Sequence, residues 1–236
     1  MAVSNLHQGV IAGAAQPTGV TFDPELVLNS IYLHGSGTSG DAMLRQSRTP
    51  GNRNRWLFGT WYHPLRVPLA SGDRITIFAA GASGAGFYLS HEEEGDLRLF
   101  HRDESGNEGA VVTTEMYRDT TAWIHILVDY DSANAEQDDR ISMYVNGTRV
   151  GVNSGTRPAQ NKSIMVNTEG EIERIGQDFS STPNYHGAMY LAQTFLMDNK
   201  SIVNGDHLTT DFLDTFTLGT NGSQIIPKSN DDIKTL

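Results

Sequence analysis

The chain has 236 residues, 38% of them hydrophobic and 24 of them glycine, which is enough for one compact core and suits a single large β domain. It contains no cysteine, so disulfide frameworks, thiolate zinc sites and cysteine nucleophiles are excluded together. A formal charge of −11 opposes nucleic acid and anionic membrane, and residues 1–20 hold neither Lys nor Arg nor an apolar run long enough for a signal peptide or membrane span.

In chain order, residues 1–24 are rich in Ala, Gly, Gln and Pro and can add little to a packed core; residues 1–27 are expected to form an N-terminal attachment arm. From Ile31 to Asp198 short alternating or β-branched segments are separated by Gly, Asn, Asp and Ser clusters, which is an all-β signal. Strands are predicted at Trp56–His63, Arg74–Ala79, Gly86–His91, Asp96–Arg102, Ala122–Tyr130, Arg140–Val145, Thr148–Val152 and Gly187–Met197. Asn146-Gly147 supplies the two positive-φ residues of a type I′ hairpin turn between two of them. No long 3.6-residue apolar period occurs, so helix is confined to short turns, one after Asn199 and one over Thr209–Phe216. Residues 206–236 are assigned to a polar C-terminal arm. The Asn-x-Ser/Thr sequons at Asn146, Asn161, Asn199 and Asn221 read as loop chemistry.

Arg48-Thr49-Pro50, then Asn52-Arg53, then the aromatic strand Trp56 to Trp61 form an ordered series. It continues with Trp123-Ile124-His125 and Asp129, with Tyr144-Val145-Asn146-Gly147, with Ile175-Gly176, and with His186-Gly187 ahead of Ala192–Met197. The series resembles the laminin G-like, concanavalin A-like domains of tailed-bacteriophage virion proteins over roughly residues 28–205. The second His of the family's central strand is absent, and so is its aromatic-rich closing strand. The resemblance implies an all-β, two-sheet antiparallel jelly-roll sandwich, and a structural protein of the virion: a capsid decoration, head fibre or tail fibre. It further implies that the arms contact other virion proteins, that the chain is a homo-oligomer, and that exposed loops meet a host glycan. A soluble carbohydrate-binding lectin and a glycoside hydrolase are the other functions this fold carries.

The hydrolase reading requires a Glu-x-Asp-x-x-Glu strand, whose period of two aims its carboxylates into one cleft. Glu94-Gly95-Asp96 begins that pattern, but Leu99 stands where the second carboxylate belongs. Catalysis is therefore not expected, and Glu92, Glu93 and Glu94 read as a solvated turn between strands. Asp129, Asp131, Asp138 and Asp139, with Asn134 and Glu136, crowd one loop and are the candidate metal ligands; Ca²⁺ is the cation such oxygens would take, although the spacing is not that of an EF-hand. The basic stretch from Arg45 to Arg66 has two readings. With its aromatics it offers a ligand surface built from Arg48, Arg53, Arg55, Trp61 and Tyr62. Alternatively its strand is buried on both faces, with the arginines anchoring the preceding loop to carboxylates.

Overall fold

A computed structural model describes residues 30–82, 84–153, 155–179, 186–204, 216–218 and 225–227. Its strands in chain order are β1 (Ile31–Gly37), β2 (Ser39–Gly40), β3 (Met43–Gln46), β4 (Arg55–Pro64), β5 (Arg74–Ala82), β6 (Ala85–Glu92), β7 (Leu97–Arg102) and β8 (Glu108–Val112). They continue with β9 (Ile124–Asp131), β10 (Ile141–Val145), β11 (Thr148–Arg149), β12 (Ile172–Ile175), β13 (His186–Asp198), β14 (Phe216–Leu218) and β15 (Ile225–Pro227). The only helical element among the described residues is a 3₁₀ turn at Gln137–Asp139.

Two antiparallel sheets make the jelly roll. One has seven strands in the order β11-β10-β9-β4-β13-β1-β2, the other six in the order β3-β12-β5-β6-β7-β8; β14 and β15 pair as a separate ribbon. The expected all-β architecture is the one observed. The arm at 1–27 lies outside the described residues, as does most of 206–236, including the helical turn expected over Thr209–Phe216 up to its last residue, which opens β14.

Strand alternation decides which residues enter the core. Trp56, Phe58 and Tyr62 of β4 point inward with Ile126, Val128 and Tyr130 of β9, against Ile75, Ile77, Phe87, Leu89 and Leu99 of the six-stranded sheet. Trp56 stacks on Tyr130 at 5.2 Å between ring centroids and meets Phe87 edge-on at 4.9 Å, while Phe58 stacks on Phe78 at 4.5 Å. Tyr62 and His91 share a hydrogen bond of 2.9 Å across the two sheets. Burial is the main cause that lowers His91 to about 4, so this imidazole is neutral near pH 7 and fits an apolar interior.

The Asn146-Gly147 turn is as expected, with φ of 49° and 80°. Its return strand is shorter than expected, because regular pairing ends at Arg149 and Val152 bridges instead to Thr113. At Gly187 the backbone of β13 lies close against the opposite sheet: a Cβ there would lie 2.4 Å from Ile75 Cγ1.

Candidate functional site

The outward residues of the seven-stranded sheet carry an aromatic row. On β4 the inward Tyr62 is flanked by Trp61 and His63 on the other face; on β13 Tyr190 lies between the inward Met189 and Leu191; on β1 Tyr32 precedes the inward Leu33. Register then aligns them, since Tyr32 pairs with Tyr190, Tyr190 with His63, and Tyr62 with Ile124, which sets Trp123 beside His63. Ring centroids are 5.1 Å apart for Tyr32 and Tyr190, 5.9 Å for Tyr190 and His63, and 5.3 Å for His63 and Trp123. Four neighbouring strands span about 14 Å at the usual inter-strand spacing, the length of a short oligosaccharide.

The row is supported from beneath, and its four rings are exposed or partly exposed. Trp61, 2% exposed, packs with Ala192 and Trp123 to form its floor, and sets its ring edge-on to His125 at 5.3 Å. Tyr32 is 44% exposed, and Tyr190, His63 and Trp123 are partly exposed. His63 is held below the ordinary imidazole range, chiefly by burial, so it is neutral near pH 7 and contributes an uncharged ring whose Nδ1 is buried. Pro64 and Ile124, which directly follow His63 and Trp123, line a cavity of about 440 Å³ with Met116, Tyr117 and Arg118. That cavity opens on the inward side of β4 and β9, so the row by itself offers the aromatic faces, which suit a ligand with broad C–H faces.

The profile of the Concanavalin A-like lectin/glucanases superfamily matches residues 36–193. The chain belongs to that superfamily. Three solved structures share its concanavalin A-like fold. The native heptameric SAP-like pentraxin of Limulus polyphemus has a TM-score of 0.50 and 14% identity, covering 75% of this chain and 77% of its own. The botulinum neurotoxin serotype D binding domain has a TM-score of 0.52 and 11% identity over 80% of this chain and 44% of its own. The LG1-3 region of the laminin α2 chain has a TM-score of 0.53 and 9% identity over 74% and 32%. The chain thus spans less than half of the toxin and laminin structures. No curated protein matches the sequence.

Within this concanavalin A-like sandwich the sequence-predicted residues do not form one surface. Tyr62 lies in the core, and Trp61 is the floor of the row. The arginines sit at the opposite end of the sheet, Arg48 and Arg53 in the rim loop that leads into β4 and Arg55 at the first residue of that strand. Arg53 pairs with Glu104 at 2.7 Å and donates from Nε to the Ile164 carbonyl, and Arg55 reaches Asp131 at 3.3 Å. Arg45 and Arg66 are likewise paired, with Glu173 at 2.6 Å and Asp73 at 2.5 Å. Arg48 is exposed on the same loop. The Asn52 amide donates to Asp198 Oδ1 at 2.7 Å, which ties the loop to the end of β13. The geometry is that of loop anchoring.

Nor do the four aspartates converge. Asp129 points outward from β9, and its Oδ2 accepts from Ser201 Oγ, the Ile202 amide and the Val203 amide at 3.0, 2.8 and 3.1 Å. Asp131 faces Arg55 and accepts from Asn204 Nδ2 and the Ala133 amide. Asp138 pairs with Arg157 at 3.4 Å and Asp139 with Arg149 at 2.7 Å. Arg140 closes the acidic loop by donating to the carbonyls of Asn134, Ala135 and Pro158. Among the described residues no three His, Asp or Glu gather as metal ligands. Oxygens already holding amides and guanidiniums do not fit a Ca²⁺ shell of six to eight ligands. Among the same residues no helix is long and apolar enough to cross a membrane.

Proposed function

We propose that the chain is a non-catalytic glycan-binding module, with the row Tyr32, Tyr190, His63 and Trp123 as its recognition surface. That row is the observation on which the reading rests: aromatic rings in register across neighbouring strands offer stacking area at low ordering cost, and the histidine ring among them is uncharged. Membership of a superfamily of lectins and glucanases supports it. The binding reading is favoured over hydrolysis because Glu94 lies in the tight β6–β7 turn, where Gly95 donates to the Glu92 carbonyl, and Leu99 is buried in the core.

The ordered motifs from Arg48 to Met197 support a finer placement, in which the module is a structural protein of a tailed-phage virion. There its terminal arms would join it to other virion proteins and to copies of itself. Repeated copies on a particle would turn weak sugar contacts into firm adhesion.

Two expected results test these statements separately. Trp123→Ala combined with Tyr190→Ala should weaken the best oligosaccharide found on a glycan array by about tenfold or more, since each lost stacking contact is worth about 0.5–1.5 kcal/mol. Calorimetric titration of wild type and variant measures it, and equal affinities would remove the row from recognition. Deleting residues 1–24 should abolish incorporation into phage particles while the isolated protein keeps its β-sheet circular dichroism and its glycan affinity. Normal incorporation would take the attachment role away from residues 1–24, and failure of the wild type itself to enter particles would leave a soluble lectin.

A further inference from the structure

The outward face of the six-stranded sheet is unlike the row. Here Tyr88 of β6 stacks on Phe100 of β7 at 4.9 Å and 13°, and Phe179 extends the cluster at 6.4 Å from Phe100. Three arginines surround the rings. The Arg74 guanidinium lies 4.3 Å from the centre of Tyr88, and those of Arg98 and Arg102 lie 6.0 and 5.5 Å from the centre of Phe100. Residues 98, 100 and 102 share one face of β7 by strand alternation, so both guanidiniums lean towards the ring between them.

Two of these cations are committed and the third is not. Arg74 pairs with Asp178 at 3.3 Å and donates to the Tyr88 hydroxyl, and Arg102 pairs with Glu108. Arg98 has no carboxylate partner among the described residues, and its Nε is buried without a hydrogen-bond acceptor. Its cross-strand neighbours Ser90 and Val112 cannot neutralise it, and Ser90 Oγ already donates to Glu92. Asp96, which ends the turn just before β7, feels the charge of Arg98 without forming an ion pair with it. Arg98 is therefore the guanidinium on this aromatic platform that holds no carboxylate among the described residues.

We propose that this face binds the carboxylate of an acidic sugar, with the Arg98 guanidinium as its fork and the partly exposed ring of Phe100 under the sugar's C–H face. Arg102 flanks the other side of the ring with its charge already matched by Glu108. One uncompensated guanidinium suits a glycan with isolated carboxylates. It does not suit the continuous phosphates of nucleic acid, which the net charge of −11 repels. The site lies on the opposite sheet from the aromatic row and does not depend on it.

Calorimetric titration of the full-length protein with trigalacturonate tests the proposal, with its fully methyl-esterified form, dextran sulfate and single-stranded DNA as comparators. Trigalacturonate should bind, more weakly as salt rises, and the neutral ester should not. Arg98→Gln should reduce affinity at least tenfold, and Arg98→Lys should recover little of it, because a lysine cannot form the bidentate fork. Both variants should melt at the wild-type temperature, and Trp123→Ala should bind trigalacturonate normally. Undiminished binding by Arg98→Gln, equal binding of the ester, or no binding of trigalacturonate would overturn the site. Tighter binding of dextran sulfate or DNA through Arg98 would overturn the sugar-acid assignment. Loss of binding in Trp123→Ala would transfer the ligand to the row.

Discussion

Trp56→Ala should destabilise the fold more than any other single truncation on β4, by about 3–5 kcal/mol. The side chain is fully buried and touches three rings at once: Tyr130 of its own sheet, and Phe87 and Phe78 of the opposite one, the last at 6.4 Å. Removing it leaves a cavity between the layers that strands fixed by cross-strand hydrogen bonds cannot collapse to fill. Against a total stability of roughly 5–15 kcal/mol for a typical domain, the loss is a fifth or more. Trp56→Phe should cost far less than this. The indole Nε1–H is buried without an acceptor, so the replacement keeps a ring in the stack and removes an unmet donor. Urea midpoints for the two variants measure the contrast. Equal losses would mean that the indole nitrogen has a partner, or that a phenyl ring cannot settle into the stack.

Burial accounts for what could be read from sequence. The predicted strands are those whose alternating residues enter the core: β4, β5, β6, β7, β9, β10 and β13 were each placed within three residues at either end. The strands that escaped are marginal to it. All four residues of β3 are exposed, so Met43–Gln46 shows no burial period, and pairing with β12 alone makes it a strand. Glu108–Val112 forms β8 at the other edge of the same sheet with small residues and one fully buried side chain, Val111. At such positions cross-strand hydrogen bonds define the strand, and the sequence carries little trace of them.

The candidate sites were less legible, for a related reason. The arginines between Arg45 and Arg66 form a block in sequence, yet Arg45, Arg53 and Arg55 find their acids at Glu173, Glu104 and Asp131, far along the chain. A local charge count cannot detect neutralisation of that kind. Trp61 and His63 do announce an outward aromatic face by their spacing. Their alignment with Tyr32, Trp123 and Tyr190 follows from the strand order β9-β4-β13-β1, which the spacing does not contain. Arg98 and Phe100 had a signal that could have been used: their period of two on a strand whose alternate residues Leu97 and Leu99 are plainly core.

Asp129 should give the protein a pH dependence opposite to that of its histidines. Burial is the largest cause that raises this carboxyl to about 7, outweighing the three donors on Oδ2; the nearby Asp131 raises it further. An unfolded aspartate titrates near 4, so the folded state holds this proton more tightly. The stability it contributes is complete below about pH 4 and is lost as pH rises towards 7, on the order of 4 kcal/mol over the whole interval. His91, His101 and His63 are all held below their ordinary value by burial, so their contribution is present above about pH 6.5 and is lost as pH falls. The sum is a stability maximum between the two regimes. Asp129→Asn separates them, because an amide oxygen can still accept from Ser201, Ile202 and Val203 but cannot ionise. Urea midpoints of the variant should therefore rise relative to wild type as pH increases from 5 to 8. They should retain the acid-side loss that the histidines cause. Parallel profiles would mean that Asp129 is already ionised at pH 5, with its three donors outweighing its burial.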